Sequence, residues 1–181
     1  MKTRQRVVVT GRGVVSPVGN SISEYWRGLS NGNSGVGKIT EFDPLKSGCR
    51  IAGIVKDYDV DAHFKFREKK RYERFTQFGL VAALQAAEEA KLQELESDSG
   101  NIGVIMGTGV GGITSYSRVY DALFSGPDER PIDTYTIPRI MNSAVSSAIS
   151  IRLGFRGPNF TLNTACSSGA NAIGQAMQWV R

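Results

Sequence analysis

Two short apolar runs, Ile102-Gly103-Val104-Ile105-Met106 and Phe160-Thr161-Leu162-Asn163, constrain the fold of this chain more than any other feature. Each has the length of a strand, and each runs through a turn of small residues into a segment of helical period. Strands that alternate with helices in this way build a mostly parallel α/β sheet, because a parallel neighbour is reached only through a crossover. Val7-Val8-Val9-Thr10 predicts a further buried strand, broken by Gly11 and Gly13, with a second turn at Ser16-Pro17-Val18-Gly19.

Residues 23–30, with Tyr25, Trp26 and Leu29, predict a short amphipathic helix, and residues 28–37, dense in Gly, Asn and Ser, a loop. Phe75, Phe78, Ala82 and Ala86 recur at three and four, which predicts one helix over about residues 69–91, with residues 97–100 ending the region. Further helices are expected over residues 113–124 and, after the Gly126-Pro127 break, from Pro138 to about Leu153. In the last segment Ala170, Ile173, Met177 and Val180 fall on one helical face. No glycine cap or proline closes that helix, so residues 1–181 are expected to form one domain cut inside a helix.

A chain of 181 residues, 40% hydrophobic, has enough length to bury the core of one domain. No period marks a repeat protein. The two cysteines, Cys49 and Cys166, form no CxxC pair and have no histidine at zinc-binding spacing, which points to a reducing compartment. The apolar run after the basic N-terminus is far shorter than the ~7–15 residues of a signal peptide, and nothing approaches the ~18 of a membrane span. A cytoplasmic location is therefore expected. The net charge of +5 is concentrated, with six of the 22 basic side chains between Lys65 and Arg74, so an acidic partner is expected there.

Three glycine loops resemble nucleotide sites. Gly32-Asn33-Ser34-Gly35-Val36-Gly37-Lys38 lacks the Ser or Thr that a P-loop needs after its lysine, Ile39 standing there instead, and it follows a helix. Gly107-Thr108-Gly109-Val110-Gly111-Gly112 satisfies GxGxxG between a strand and a helix, but Asp128-Glu129 sit in a loop rather than at the end of a next strand. Close backbone approach beside a cleft needs glycine equally. Gly11-Arg12-Gly13 lacks a third glycine, Ser16 standing in its place.

Thr164-Ala165-Cys166-Ser167-Ser168-Gly169 follows a strand and opens a helix. A thiolate at a helix N-terminus is stabilised by the dipole and by unpaired N–H groups, and the same N–H groups can receive an oxyanion. Small neighbours leave room for a substrate carbonyl. The alternative is a buried cysteine serving as a small hydrophobe, the usual fate of a lone cysteine and the reading that fits Cys49.

Thr164-Ala165-Cys166-Ser167-Ser168-Gly169-Ala170-Asn171-Ala172-Ile173-Gly174 resembles the active-site motif of the 3-oxoacyl-[acyl-carrier-protein] synthases of types I and II. Residues 7–20, residues 102–112 and Arg152-Leu153-Gly154-Phe155-Arg156-Gly157-Pro158 are similar to that family as well. The resemblance implies a thiolase-like fold, a duplicated α/β unit layered α-β-α-β-α, of which this chain resembles the first copy. It implies that Cys166 takes an acyl group from an acyl carrier protein, and that a malonyl carrier protein then loses carbon dioxide and attacks the thioester. Two histidines and a lysine serve that second step in the family's second half; His63, the only histidine, matches neither and reads as a surface or helix-start residue. Val110 matches a residue gating the acyl pocket, Thr136 and Ile137 match positions lining the partner's pocket across a homodimer, and Arg67, Lys70 and Arg71 match carrier-docking positions. The alternative for that cluster is a solvated helix face with local ion pairs to Glu68 and Glu73. No cofactor or metal is implied. The same residues leave open a polyketide ketosynthase or a catalytically inert folding or dimerisation fragment, with a nucleotide-binding oxidoreductase resting on GxGxxG alone. A chain-length factor usually lacks the cysteine.

Overall fold

The computed structural model describes residues 5–44, 48–92, 99–124 and 132–181, so the Gly126-Pro127 break and Asp128-Glu129 lie outside the described residues. The chain runs α1 (Ile22–Ser30), β1 (Val36–Lys38), β2 (Ile51–Gly53), α2 (Val60–His63), α3 (Phe66–Arg71), α4 (Arg74–Glu89), β3 (Val104–Gly107) and α5 (Ile113–Phe124). It continues through α6 (Thr136–Ile140), α7 (Ala144–Leu153), β4 (Asn159–Leu162) and α8 (Ser168–Val180).

β3 and β4 pair in parallel, with Val104 opposite Asn159 and Gly107 opposite Leu162. Side chains alternate between faces along a strand, and here the two faces meet different helices. On one, Val104 and Met106 join a core with Leu80 and Val81 of α4 and Val145, Ala148 and Ile149 of α7. Asn159 and Thr161 tie that face to α7, donating to the Ser146 carbonyl at 3.0 Å and to Ser146 Oγ at 3.0 Å. On the other face Phe160 meets Trp179 of α8 with ring centroids 5.3 Å apart, and Gly107 packs against the start of α8. The parallel pair is thus held between α7, backed by α4, and α8. Burial of Leu80 and Val81 alone contributes roughly 1.5–3 kcal/mol each.

The parallel sheet is smaller than expected. Residues 7–10 form no strand, and Val8 and Val9 are 71% and 80% exposed, because no strand lies beside them among the described residues. The arm continues along α4 instead: a Cβ at Gly11 or Gly13 would run into the Ala86 or Ala82 carbonyl. The Arg12 and Val14 amides donate to Glu89 Oε2 at 2.6 Å and Gln85 Oε1 at 3.0 Å. The loop of residues 28–37 ends in β1, which pairs antiparallel with β2.

Two expected helices are each broken in two. The segment over residues 69–91 separates into α3 and α4 at Tyr72-Glu73, where Tyr72 is extended. The one over residues 138–153 separates into α6 and α7, with Met141 extended. α1 begins one residue before the expected span, its Ser21 hydroxyl accepting from the Glu24 amide at 3.3 Å. In α8 the buried residues are Ser168 and Ala172, whereas Ile173 and Val180 of the expected apolar face are 72% and 59% exposed. The sheet side of α8 takes small residues because the helix starts directly against β3.

Candidate active site

Cys166 is exposed, outside any disulfide, and sits in a single 3₁₀ turn, Ala165–Ser167, that runs straight into α8. The expected order of strand, tight turn and helix is therefore present. Ala165, immediately before the cysteine, has φ +52°, the left-handed region that a residue with a Cβ enters only at a cost.

Hydrogen bonds fix this turn on every side. The Thr164 amide donates to Ser168 Oγ at 2.9 Å, and Ser168 Oγ lies 2.6 Å from the Ala165 carbonyl and 3.2 Å from the Thr108 carbonyl. Ser167 Oγ donates to the Thr164 carbonyl at 2.7 Å, and Asn171 Nδ2 donates to Thr164 Oγ1 at 2.7 Å. Asn163 Nδ2 reaches the Gly109 carbonyl at 2.9 Å, so the glycine loop after β3 lies directly beside the turn.

That contact explains the GxGxxG pattern without a nucleotide. A Cβ at Gly107 would run into the Ser168 backbone, and one at Gly112 into the Arg139 carbonyl and Glu73 Oε2. The loop lets β3, α4, α6 and α8 meet at one point. At residues 32–38 the chain passes from α1 into β1, so no helix opens there to cradle a phosphate. Among the described residues no group of three or more His, Cys, Asp or Glu could hold a metal ion.

Arg67, Lys70 and Arg71 lie exposed on α3. The interleaved acids do not neutralise them. Glu68 pairs with Arg152 of α7, and Glu73 accepts the Ser115 amide at 3.0 Å, capping the first turn of α5. Lys70 instead stands 4.5 Å over the exposed Phe66 ring. The local ion pairs of a solvated face are absent at these three cations among the described residues.

The pocket positions are not gathered into one cavity. Thr136 is buried in a cleft of about 240 Å³ with Ser115, Arg118, Val119 and Arg139, and Cys166 is not part of its lining. Val110 and Ile137, each 65% exposed, lie outside it. His63 is exposed, as the surface reading expects, and it closes α2 rather than opening a helix, its ring stacked 5.8 Å from Tyr58. Cys49 is exposed as well, its thiol donating to the Ile51 carbonyl at 3.2 Å. Sequence reasoning treated Ser168 only as a small neighbour. The signal that marks it is a hydroxyl residue at the first position of a helix, four places after Thr164.

Cys166 thus presents an exposed thiol at the turn between a parallel strand and a helix. The chain belongs to the beta-ketoacyl synthase family: residues 4–181 match the family described as Beta-ketoacyl synthase, N-terminal domain. It is 39% identical over 178 residues to a protein of Synechocystis sp. named 3-oxoacyl-[acyl-carrier-protein] synthase 2, covering 98% of this chain and 42% of that one. Its structure is similar to the ishigamide ketosynthase/chain length factor, with a TM-score of 0.86 and 28% identity over 98% of this chain and 44% of that chain. A chain in the structure of a type II polyketide synthase acyl-carrier protein in complex with its ketosynthase shares the fold, at TM-score 0.71 and 22% identity over 97% of this chain and 46% of that chain. The chain spans less than half the length of these relatives, and its fold is the thiolase-like α/β class expected from the sequence. Among the described residues no helix is long and apolar enough to cross a membrane.

Proposed function

We propose that this chain is the nucleophile-bearing half of a 3-oxoacyl-[acyl-carrier-protein] synthase of fatty-acid elongation, acting in the cytoplasm as part of a homodimer. The observation that carries this is Cys166, exposed in a turn held by the glycine loop and by α8. Its sulfur attacks the thioester carbonyl of an acylated carrier protein, the carrier's thiol leaves with a proton, and the acyl group stays on Cys166. A malonyl carrier protein then loses carbon dioxide, and the resulting carbanion displaces Cys166 to form the new carbon–carbon bond. Residues 1–181 supply the framework for the first transfer only. His63, the one histidine, is engaged with Tyr58 far along the chain, so the histidine pair and lysine of the second step belong to the remainder of a longer protein.

Arg67, Lys70 and Arg71 receive the acidic carrier, a reading supported by the engagement of Glu68 and Glu73 elsewhere. Val110 gates the acyl pocket, and Thr136 and Ile137 line the partner subunit's pocket across the homodimer. A polyketide ketosynthase is the second reading, favoured by the likeness to the ishigamide ketosynthase/chain length factor. The test is transfer from an acylated carrier protein, followed by intact mass and peptide mapping. Acyl on Cys166, abolished by Cys166→Ala, is expected; acyl on Cys49 or on neither cysteine contradicts the proposal. In the full-length protein, a single two-carbon extension that ends at the 3-oxoacyl carrier protein supports fatty-acid elongation, whereas repeated extension of the unreduced 3-oxoacyl chain supports the polyketide reading.

A further inference from the structure

We propose that Ser168 is a positioning residue for Cys166, its buried hydroxyl holding Ala165 in the left-handed conformation that presents the thiol; this rests on Cys166 being the nucleophile. Among the described residues only Asp57, Lys91 and Ala165 have positive φ without being glycine. Alanine has no side-chain polar group to stabilise that conformation, and such a residue keeps it only where its surroundings over-determine it.

Ser168 supplies that constraint. It is 3% exposed, so water does not compete for its hydroxyl. Its oxygen accepts the Thr164 amide, which fixes the peptide unit before Ala165. Its one proton goes to the Ala165 carbonyl at 2.6 Å rather than to the Thr108 carbonyl at 3.2 Å, which fixes the peptide unit after it. The Ser168 amide donates to the same Ala165 carbonyl, so one residue grips both sides of the strained one. Ser167 and Asn171, which also bind Thr164, are exposed and share their bonds with solvent.

Without the hydroxyl, the Thr164 amide is left without its acceptor and Ala165 relaxes to negative φ, turning Cys166 away from its place. Glycine at 165 adopts the left-handed conformation without the Cβ penalty and so removes the need for the grip. The experiment uses the full chain, Ser168→Ala, Ala165→Gly and the double variant. NMR gives φ at residue 165, and mass spectrometry gives the alkylation rate of Cys166 relative to Cys49 with iodoacetamide.

Ser168→Ala is expected to move residue 165 to negative φ and to lower the Cys166-to-Cys49 ratio about tenfold, and the double variant to restore it to within about twofold. Positive φ retained in Ser168→Ala, or a ratio equally low in the double variant, overturns the proposal. A wild-type ratio at or below one sinks the nucleophile reading instead, while φ at residue 165 still decides the role of Ser168. If Ser168→Ala does not fold, Ser168→Cys keeps the volume while weakening both bonds, and takes its place with the same expectations.

Discussion

Cys49 and Cys166 are both exposed and outside any disulfide, yet they stand in regions built in opposite ways. Cys49 precedes the second strand of a small antiparallel pair, and its thiol is turned onto the chain's own Ile51 carbonyl two residues on. Cys166 stands where a parallel strand turns into a helix, and Asn163 just before the turn is bonded to the Gly109 carbonyl, far away in sequence. Exposure alone therefore separates nothing. What distinguishes Cys166 is a strained turn, held from within by the buried Ser168 hydroxyl and lying beside the glycine loop at the start of α8.

The largest expected contrast lies in packing. Gly107→Val drives a side chain into the start of α8 and is expected to cost about 3 kcal/mol or more, read from the denaturant midpoint. Gly37→Val, in the β1/β2 pair, meets only the Lys56 ammonium at 3.6 Å and is expected to stay within about 0.5 kcal/mol of the parent. Equal losses at the two sites would remove the distinction between a gripped turn and a local one.

Charge gives the next contrast. Lys70→Glu with Arg71→Glu is expected to weaken acyl-carrier-protein binding by about tenfold at low salt, with the difference shrinking as salt is raised. Lys38→Glu with Lys56→Glu, the same change of charge near the hairpin, is expected to leave binding within about twofold. Titration calorimetry at two ionic strengths distinguishes docking on α3 from a general effect of net charge.

The smallest contrast is between two enclosed hydroxyls. Ser168 Oγ is fully engaged, whereas Tyr58 Oη is enclosed with no hydrogen-bond partner among the described residues. Tyr58→Phe is expected to raise stability by roughly 1 kcal/mol. Burial pushes the Tyr58 hydroxyl up to about 12 from its ordinary 10.0, with Arg74 pulling the other way. The unfolded chain thus ionises first: stability is intact below about pH 10 and falls as pH rises toward 12. Melting temperatures at pH 9 and 11 should show that fall in the parent and a shallower one in Tyr58→Phe.

The parts legible in the sequence were those whose cause is local. β3, β4 and the turn at Cys166 announce themselves because apolar runs, small residues and helical period follow one another directly. The break at Tyr72-Glu73 was not legible, since Glu73 leaves the helical path to cap α5, and only the folded chain places the Ser115 amide beside it. The break before α7 has a similar cause, with Asn142 brought against Gly111 of the glycine loop. On α8, periodicity picked the side that is apolar in composition, while packing selected the side that is small enough to touch Gly107. Residues 7–10 carry a strand's composition, but a strand also needs a neighbour. The cysteine was legible; Ser168 carries a helix-start signal, but its partners at Thr164 and Ala165 are visible only in the folded chain.

The most direct measurement is competitive alkylation of the intact chain with limiting iodoacetamide at neutral pH, resolved by peptide mass spectrometry. The account predicts that Cys166 is modified at least about tenfold faster than Cys49, and that unfolding in denaturant erases the difference. Equal rates in the folded chain, or a preference for Cys49, would contradict the claim that the fold activates Cys166.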